Sequence, residues 1–99
     1  MMDNKKIRES LAPEELLAGM AEEAGELVQA ALKLRRALTG NNPTPINATE
    51  AYGNLIEELA DVFLYADVME ADWIQIIARA GEKRDRWIGR LDEKKSSEN

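Results

Sequence analysis

The sequence contains no histidine and no cysteine. Without histidine there is no Ser-His-Asp triad, no imidazole general base and none of the usual catalytic zinc sites. Without cysteine there are no disulfides and no thiolate metal ligands, which fits a reducing compartment. Any chemistry must use carboxylates, amines, hydroxyls and bound ions. No stretch approaches the ~18 apolar residues of a membrane span, and the N-terminal residues hold no apolar core of signal-peptide length. The expectation is a cytoplasmic protein with no membrane association. Positive charge is the minority: 13 Lys and Arg stand against 19 Asp and Glu, a net charge of -6. That balance argues against general nucleic-acid binding.

What the sequence does hold is helical periodicity. Its 44% hydrophobic and 32% charged residues suit a globular domain and are too apolar for a disordered one. A single domain is expected over residues 1–99, with its core at about 13–92 and a polar, fraying tail at 93–99. Residues 1 to 12 read as a short helix or an arm. Pro13 suits a first helical turn, and Glu14 and Glu15 favour the positive end of the helix dipole. Leu16, Met20, Ala24, Leu27, Ala31, Leu34 and Leu38 then recur every three or four residues, as on an amphipathic helix, and Gly40 supplies a stop. The segment 40–47, with its prolines and asparagines, reads as a loop. Asn47 with Glu50 forms a capping box for a second helix from about Ala48 to Glu70, apolar around most of its circumference. Asp72 with Gln75 is a weaker capping pair for a third helix, carrying Trp73, Ile76, Ile77, Trp87, Ile88 and Leu91. The fold class is therefore all-α: a compact bundle of three long helices with a short N-terminal one. A domain this small buries only about two-thirds of its unfolded surface, so helices apolar on several faces are expected to complete their core by association.

Two acidic pairs stand out on these helices. Residues three apart share a helix side, which pairs Glu23 with Glu26 and Glu58 with Asp61. At ~100° per residue, Glu23 lies roughly 55° from the centre of the apolar stripe, Glu26 roughly 115° and Glu22 roughly 155°. Burying carboxylates amid apolar side chains is costly unless compensated. A hard dication, Mg²⁺ or Mn²⁺, would compensate all four acids. The competing readings are a solvated acidic face or salt bridges. Against the latter, Lys33 and Arg36 lie too far along the helix to pair with Glu23, and no basic residue occurs between Arg36 and Arg79. A di-iron site is excluded, because such sites use Glu-x-x-His pairs. Among the glycines inside helices, Gly25 is the strongest candidate for a close helix approach. The residues Trp73, Trp87, Tyr52 and Tyr65 could stack on a base, although a Trp on a small bundle is more often core or interface.

The combination Glu22-Glu23-x-x-Glu26 and Glu58-x-x-Asp61 resembles the EExxE…ExxD motif of the MazG-like, all-α nucleoside triphosphate pyrophosphohydrolases. The surrounding Glu-Glu-Ala-Gly-Glu-Leu-Val-Gln-Ala and Glu-Glu-Leu-Ala-Asp-Val-Phe-Leu-Tyr are also similar, and the likeness spans roughly residues 13 to 90. The separation of Glu26 and Glu58 is longer than usual for the family, which the Asn-Asn-Pro-Thr-Pro segment accounts for. The resemblance implies that Glu23, Glu26, Glu58 and Asp61 coordinate Mg²⁺ (or Mn²⁺), and that Glu22 or Glu57 orients a ligand or the attacking water. It implies cleavage of nucleoside triphosphates to monophosphate and pyrophosphate by a homodimer or homotetramer, as a pool-cleaning enzyme. On the last helix, Lys83 and Arg86 are the counterparts of the family's phosphate contacts, with Asp85 where the family often has Asn. Two alternatives stand beside this: a non-catalytic helical interaction module whose acids bind a basic partner, and a pyrophosphohydrolase for another substrate such as phosphoribosyl-ATP.

Overall fold

The computed structural model describes residues 2–40 and 47–98. The described residues form four helices and no strand: α1 (Lys5–Ser10), α2 (Pro13–Thr39), α3 (Ala48–Val68) and α4 (Trp73–Glu98). The all-α class, the three long helices and the short N-terminal one agree with the sequence reading. The segment 41–46, read above as part of a loop, lies outside the described residues.

The helix ends follow local chemistry. Pro13 opens α2 with Glu14 and Glu15 in the first turn, and Gly40 closes it in the left-handed conformation at φ 74°. Glycine adopts that conformation without the Cβ clash other residues meet. The Asn47 side chain accepts a hydrogen bond from the Glu50 backbone N–H at 2.7 Å, and Asp72 accepts one from Gln75 N–H at 3.0 Å. The end of α3 departs from expectation. The helix stops at Val68, and Glu70 takes a left-handed φ of 58°. The N–H groups of Glu70 and Ala71 donate back to the carbonyls of Asp67 and Ala66, both at 3.0 Å. This is a Schellman turn in the place where glycine is usual. An ion pair of 3.0 Å from Arg8 Nε to Glu70 Oε1 holds the residue there. At the other end of the chain α4 continues to Glu98, through most of the segment 93–99 read above as a fraying tail. Lys94 and Lys95 are good helix formers placed where the dipole favours cations.

Antiparallel packing of α2 on α3 is the body of the fold. Leu16 shares a cavity wall with Leu64 and Val68, Gly19 faces Tyr65, Glu23 meets Asp61 and Glu58, and Ala30 lies near Asn54. The close approach is at Gly19, not at Gly25. A Cβ at Gly19 would lie 2.5 Å from the Tyr65 ring, whereas one at Gly25 would meet nothing within 4 Å. The fully buried apolar set is small: Leu16, Ala30, Ala51 and Val68. A polar node ties the N-terminal segment and the start of α4 to the end of α3. Asp67, itself buried, accepts hydrogen bonds from Met2 N–H (3.1 Å), Asn4 Nδ2 (2.9 Å) and Trp73 Nε1 (3.3 Å). The Trp73 ring also stacks on Phe63 with centroids 5.3 Å apart. Trp73 is thus a structural anchor for the start of α4. Beyond it, every residue from 74 to 97 is exposed. Within one chain, α4 leaves the α2–α3 pair and runs out into solvent, so the compact part of the bundle is α1 to α3.

Candidate metal centre

The antiparallel register brings one acid of the first i,i+3 pair against both acids of the second. Glu23 comes from the middle of α2, and Glu58 and Asp61 come from successive turns of α3. A carboxylate oxygen from each lies within 4.8 Å of the other two. Glu23 and Glu58 are half-buried and Asp61 is exposed, so the cluster sits at the rim of the helix–helix contact.

The electrostatics of the cluster are unfavourable as it stands. Burial pushes the Glu23 carboxyl above its ordinary pKa, the charges of Asp61 and Glu58 push it further, and a hydrogen bond with the Asp61 side chain and the charge of Glu26 act in the same direction. Glu58 Oε2 is buried with no hydrogen-bond partner. A buried acceptor without a partner is rare in folded proteins, because nothing replaces the water it has lost. No Lys or Arg forms an ion pair with any of the three acids among the described residues. Three convergent carboxylates, one of which also carries an orphaned oxygen, fit a hard dication such as Mg²⁺ or Mn²⁺, which prefers oxygen ligands. The solvated-face reading does not account for an acceptor that solvent cannot reach.

The other expected residues are placed as follows. Glu26 lies outside the three-acid cluster and lines an adjoining cleft with Glu57 and Glu58. Glu57 is exposed on the wall of that cleft. Glu22 is exposed on α2 and is absent from both the cluster and the cleft wall. Lys83 and Arg86 sit on the projecting part of α4. Lys83 lines a shallow groove formed by residues 71 to 83 alone, away from the acids. Tyr52 and Trp87 are exposed, while Tyr65 lies across Gly19.

Two features escape a reading of the sequence. Lys33 lies too far along α2 to reach Glu23, yet with Gln29 and Asn54 it lines the cleft that Glu26, Glu57 and Glu58 share. The signal was the i, i+3, i+7 spacing of Glu26, Gln29 and Lys33, which puts all three on one helix side. Asp67 is the other. A lone acid near the end of an apolar helix carries no sign that its partners lie 63 and 65 residues away.

A family model described as the MazG nucleotide pyrophosphohydrolase domain matches residues 11–82. No curated protein and no solved structure matches the chain. The acids from Glu22 to Asp61 lie inside the matched segment, and Lys83 and Arg86 lie just beyond its end.

Proposed function

The chain belongs to the MazG nucleotide pyrophosphohydrolase domain family, and from that premise we propose that it is a Mg²⁺-dependent hydrolase of (deoxy)nucleoside triphosphates. Water cleaves the anhydride between the α and β phosphates, releasing the monophosphate, pyrophosphate and a proton. The observation that carries this reading is the convergence of Glu23, Glu58 and Asp61, with a buried oxygen on Glu58 that has no hydrogen-bond partner. Cleavage of this kind needs charge neutralisation and in-line positioning more than covalent chemistry, which suits a chain without histidine.

In this reading Glu23, Glu58 and Asp61 hold the dication, with Glu26 reaching it from the next turn of α2; Mn²⁺ is the alternative ion. When bound, the ion would neutralise phosphate charge and lower the pKa of water. Glu57, which lines the cleft wall beside Glu58, orients the attacking water and takes its proton. Glu22 has at most a supporting part. Lys83 and Arg86 contact the phosphates, and they do so in a homodimer or homotetramer in which α4 packs against another copy. The biological role is removal of unwanted nucleotides from the cytoplasmic pool.

The test is a panel of canonical and damaged (deoxy)nucleoside triphosphates, assayed for released pyrophosphate with Mg²⁺ or Mn²⁺. Turnover of at least one is expected, with Glu58→Gln lowering it by about 100-fold or more, as loss of a metal ligand should. If nothing on the panel is cleaved, or Glu58→Gln leaves the rate unchanged, the proposal fails.

A further inference from the structure

The cleft beside the acids has its own chemistry. From α2 it takes Glu26, Gln29 and Lys33, and from α3 Asn54, Glu57 and Glu58. Its volume is about 130 Å³, well under the ~300 Å³ at which pockets begin to hold a drug-sized organic ligand. No aromatic or branched aliphatic side chain lines it, so nothing in its wall would stack on a base. It suits a small, strongly polar group.

Lys33, Gln29 and Asn54 are exposed where they line this cleft. Lys33 shares it with three carboxylates, yet it forms no ion pair with any of them. The Gln29 and Asn54 side chains are likewise without hydrogen bonds among the described residues. Beneath them Ala30 and Ala51 are buried, so the backbone that carries these donors is held where the two helices pack. α3 has no basic residue, and Arg35 and Arg36 line a different cleft with Leu32 and Thr39. Lys33 is therefore the cation that the α2–α3 pair itself presents next to the acids.

We infer that Lys33, flanked by the amides of Gln29 and Asn54, is a substrate-binding residue that seats the phosphate oxygens of the pyrophosphate portion of the nucleotide. The assignment rests on the hydrolase reading above, since three carboxylates would repel an anion unless a cation bound by Glu23, Glu58 and Asp61 drew it in. The phosphates then lie between that cation and the Lys33 ammonium. A point charge of this kind, on a flexible stem, is a common phosphate contact.

The full-length chain is titrated with inorganic pyrophosphate at a fixed excess of Mg²⁺, as wild type, Lys33→Gln and Lys33→Arg, and each is titrated with Mg²⁺ alone. Loss of one charge-assisted contact predicts pyrophosphate binding about tenfold weaker in Lys33→Gln. Lys33→Arg is expected to stay within about threefold of wild type, because the charge is kept. Mg²⁺ binding without pyrophosphate and the melting temperature should not move in either variant. The inhibition constant of pyrophosphate as a product should rise in parallel in Lys33→Gln. Pyrophosphate binding in Lys33→Gln within twofold of wild type overturns the assignment. So does a wild type that hydrolyses nucleotides but does not bind pyrophosphate, and in that case the hydrolase reading survives. Absence of Mg²⁺ binding by the wild type removes the reading itself, and the assignment with it.

Discussion

At the scale of single residues, two carboxylates carry opposite pH signatures. The folded protein holds the Glu23 carboxyl above its usual 4.5, through burial first and then the charges of Asp61 and Glu58. A raised acid binds its proton more readily in the folded state. Its contribution to metal-free stability is therefore greatest below the unfolded value and declines as pH rises through the folded one. Asp67 is the reverse. Hydrogen bonds, led by that from the Met2 backbone, lower it from 3.8 to about 2. Its contribution is present above the unfolded value and is lost as pH falls toward the folded one. Melting temperature against pH, in chelator, should thus fall on the neutral side of Glu23 and fall again in strong acid. Glu23→Gln should raise the metal-free melting temperature near pH 7 and abolish the rise that Mg²⁺ gives the wild type by binding the folded state. Asp67→Asn should flatten the acid limb and leave the Mg²⁺ effect intact. A Glu23→Gln protein that melts below wild type in chelator would contradict this account. The contrast also shows where the sequence was readable. Glu23, Glu26, Glu58 and Asp61 were singled out by helix spacing because each pair is local, and the structure gathers three of them, leaving Glu26 outside the cluster. The network of Asp67 was not readable, because it depends on how the N-terminal segment and the start of α4 dock on the end of α3; nor was the nearness of Lys33 to the Glu58 cleft, which depends on the register in which α2 meets α3.

At the scale of elements, the starts of helices were legible and one end was not. Asn47 and Asp72 cap through side chains that the sequence displays. The turn after α3 uses Glu70 in a left-handed conformation, which costs roughly 1–2 kcal/mol for a residue with a Cβ, and no glycine or proline marks it. The tertiary pair with Arg8 overrides local preference there. Glycine placement misleads in the same manner. Gly25 stands between motif acids, but it is Gly19 that lets the helices close, because the Tyr65 ring lies over it. Gly19→Ala should therefore destabilise by about 1–3 kcal/mol, the usual cost of overpacking a fitted contact. Gly25→Ala has open space for the methyl group and should stabilise by about 0.5–1 kcal/mol through helix propensity. Urea titrations of the two variants check the sign of each, and Gly19→Ala combined with Tyr65→Leu should recover part of the loss.

At the scale of the whole molecule, one chain is more open than a folded monomer of its length. Its radius of gyration is 17.9 Å, where a compact chain of this length has about 13 Å. It exposes 7897 Å², roughly 2,200 Å² more than the scaling for a folded monomer of this mass. On α4, Ile74 is 86%, Ile77 66%, Trp87 63% and Leu91 55% exposed. Ile74 with Ile77, and Ile88 with Leu91, make two exposed apolar patches on one side of α4, with Gly81 and Arg84 between them and Trp87 beside the second. Burying an area of that size is typical of obligate subunit contacts. Such packing would also bring Lys83 and Arg86, remote from the acids in the single chain, toward the phosphates of a neighbour's substrate. Sedimentation equilibrium at micromolar concentration should therefore give a dimer or a tetramer. Ile77→Asp with Trp87→Asp should release monomers that still bind Mg²⁺ at Glu23, Glu58 and Asp61 but lose most of their kcat/KM. Full activity in a monomeric double variant would mean that the α2–α3 pair is sufficient by itself, with Lys33 as its resident cation and no part for α4 in binding phosphate.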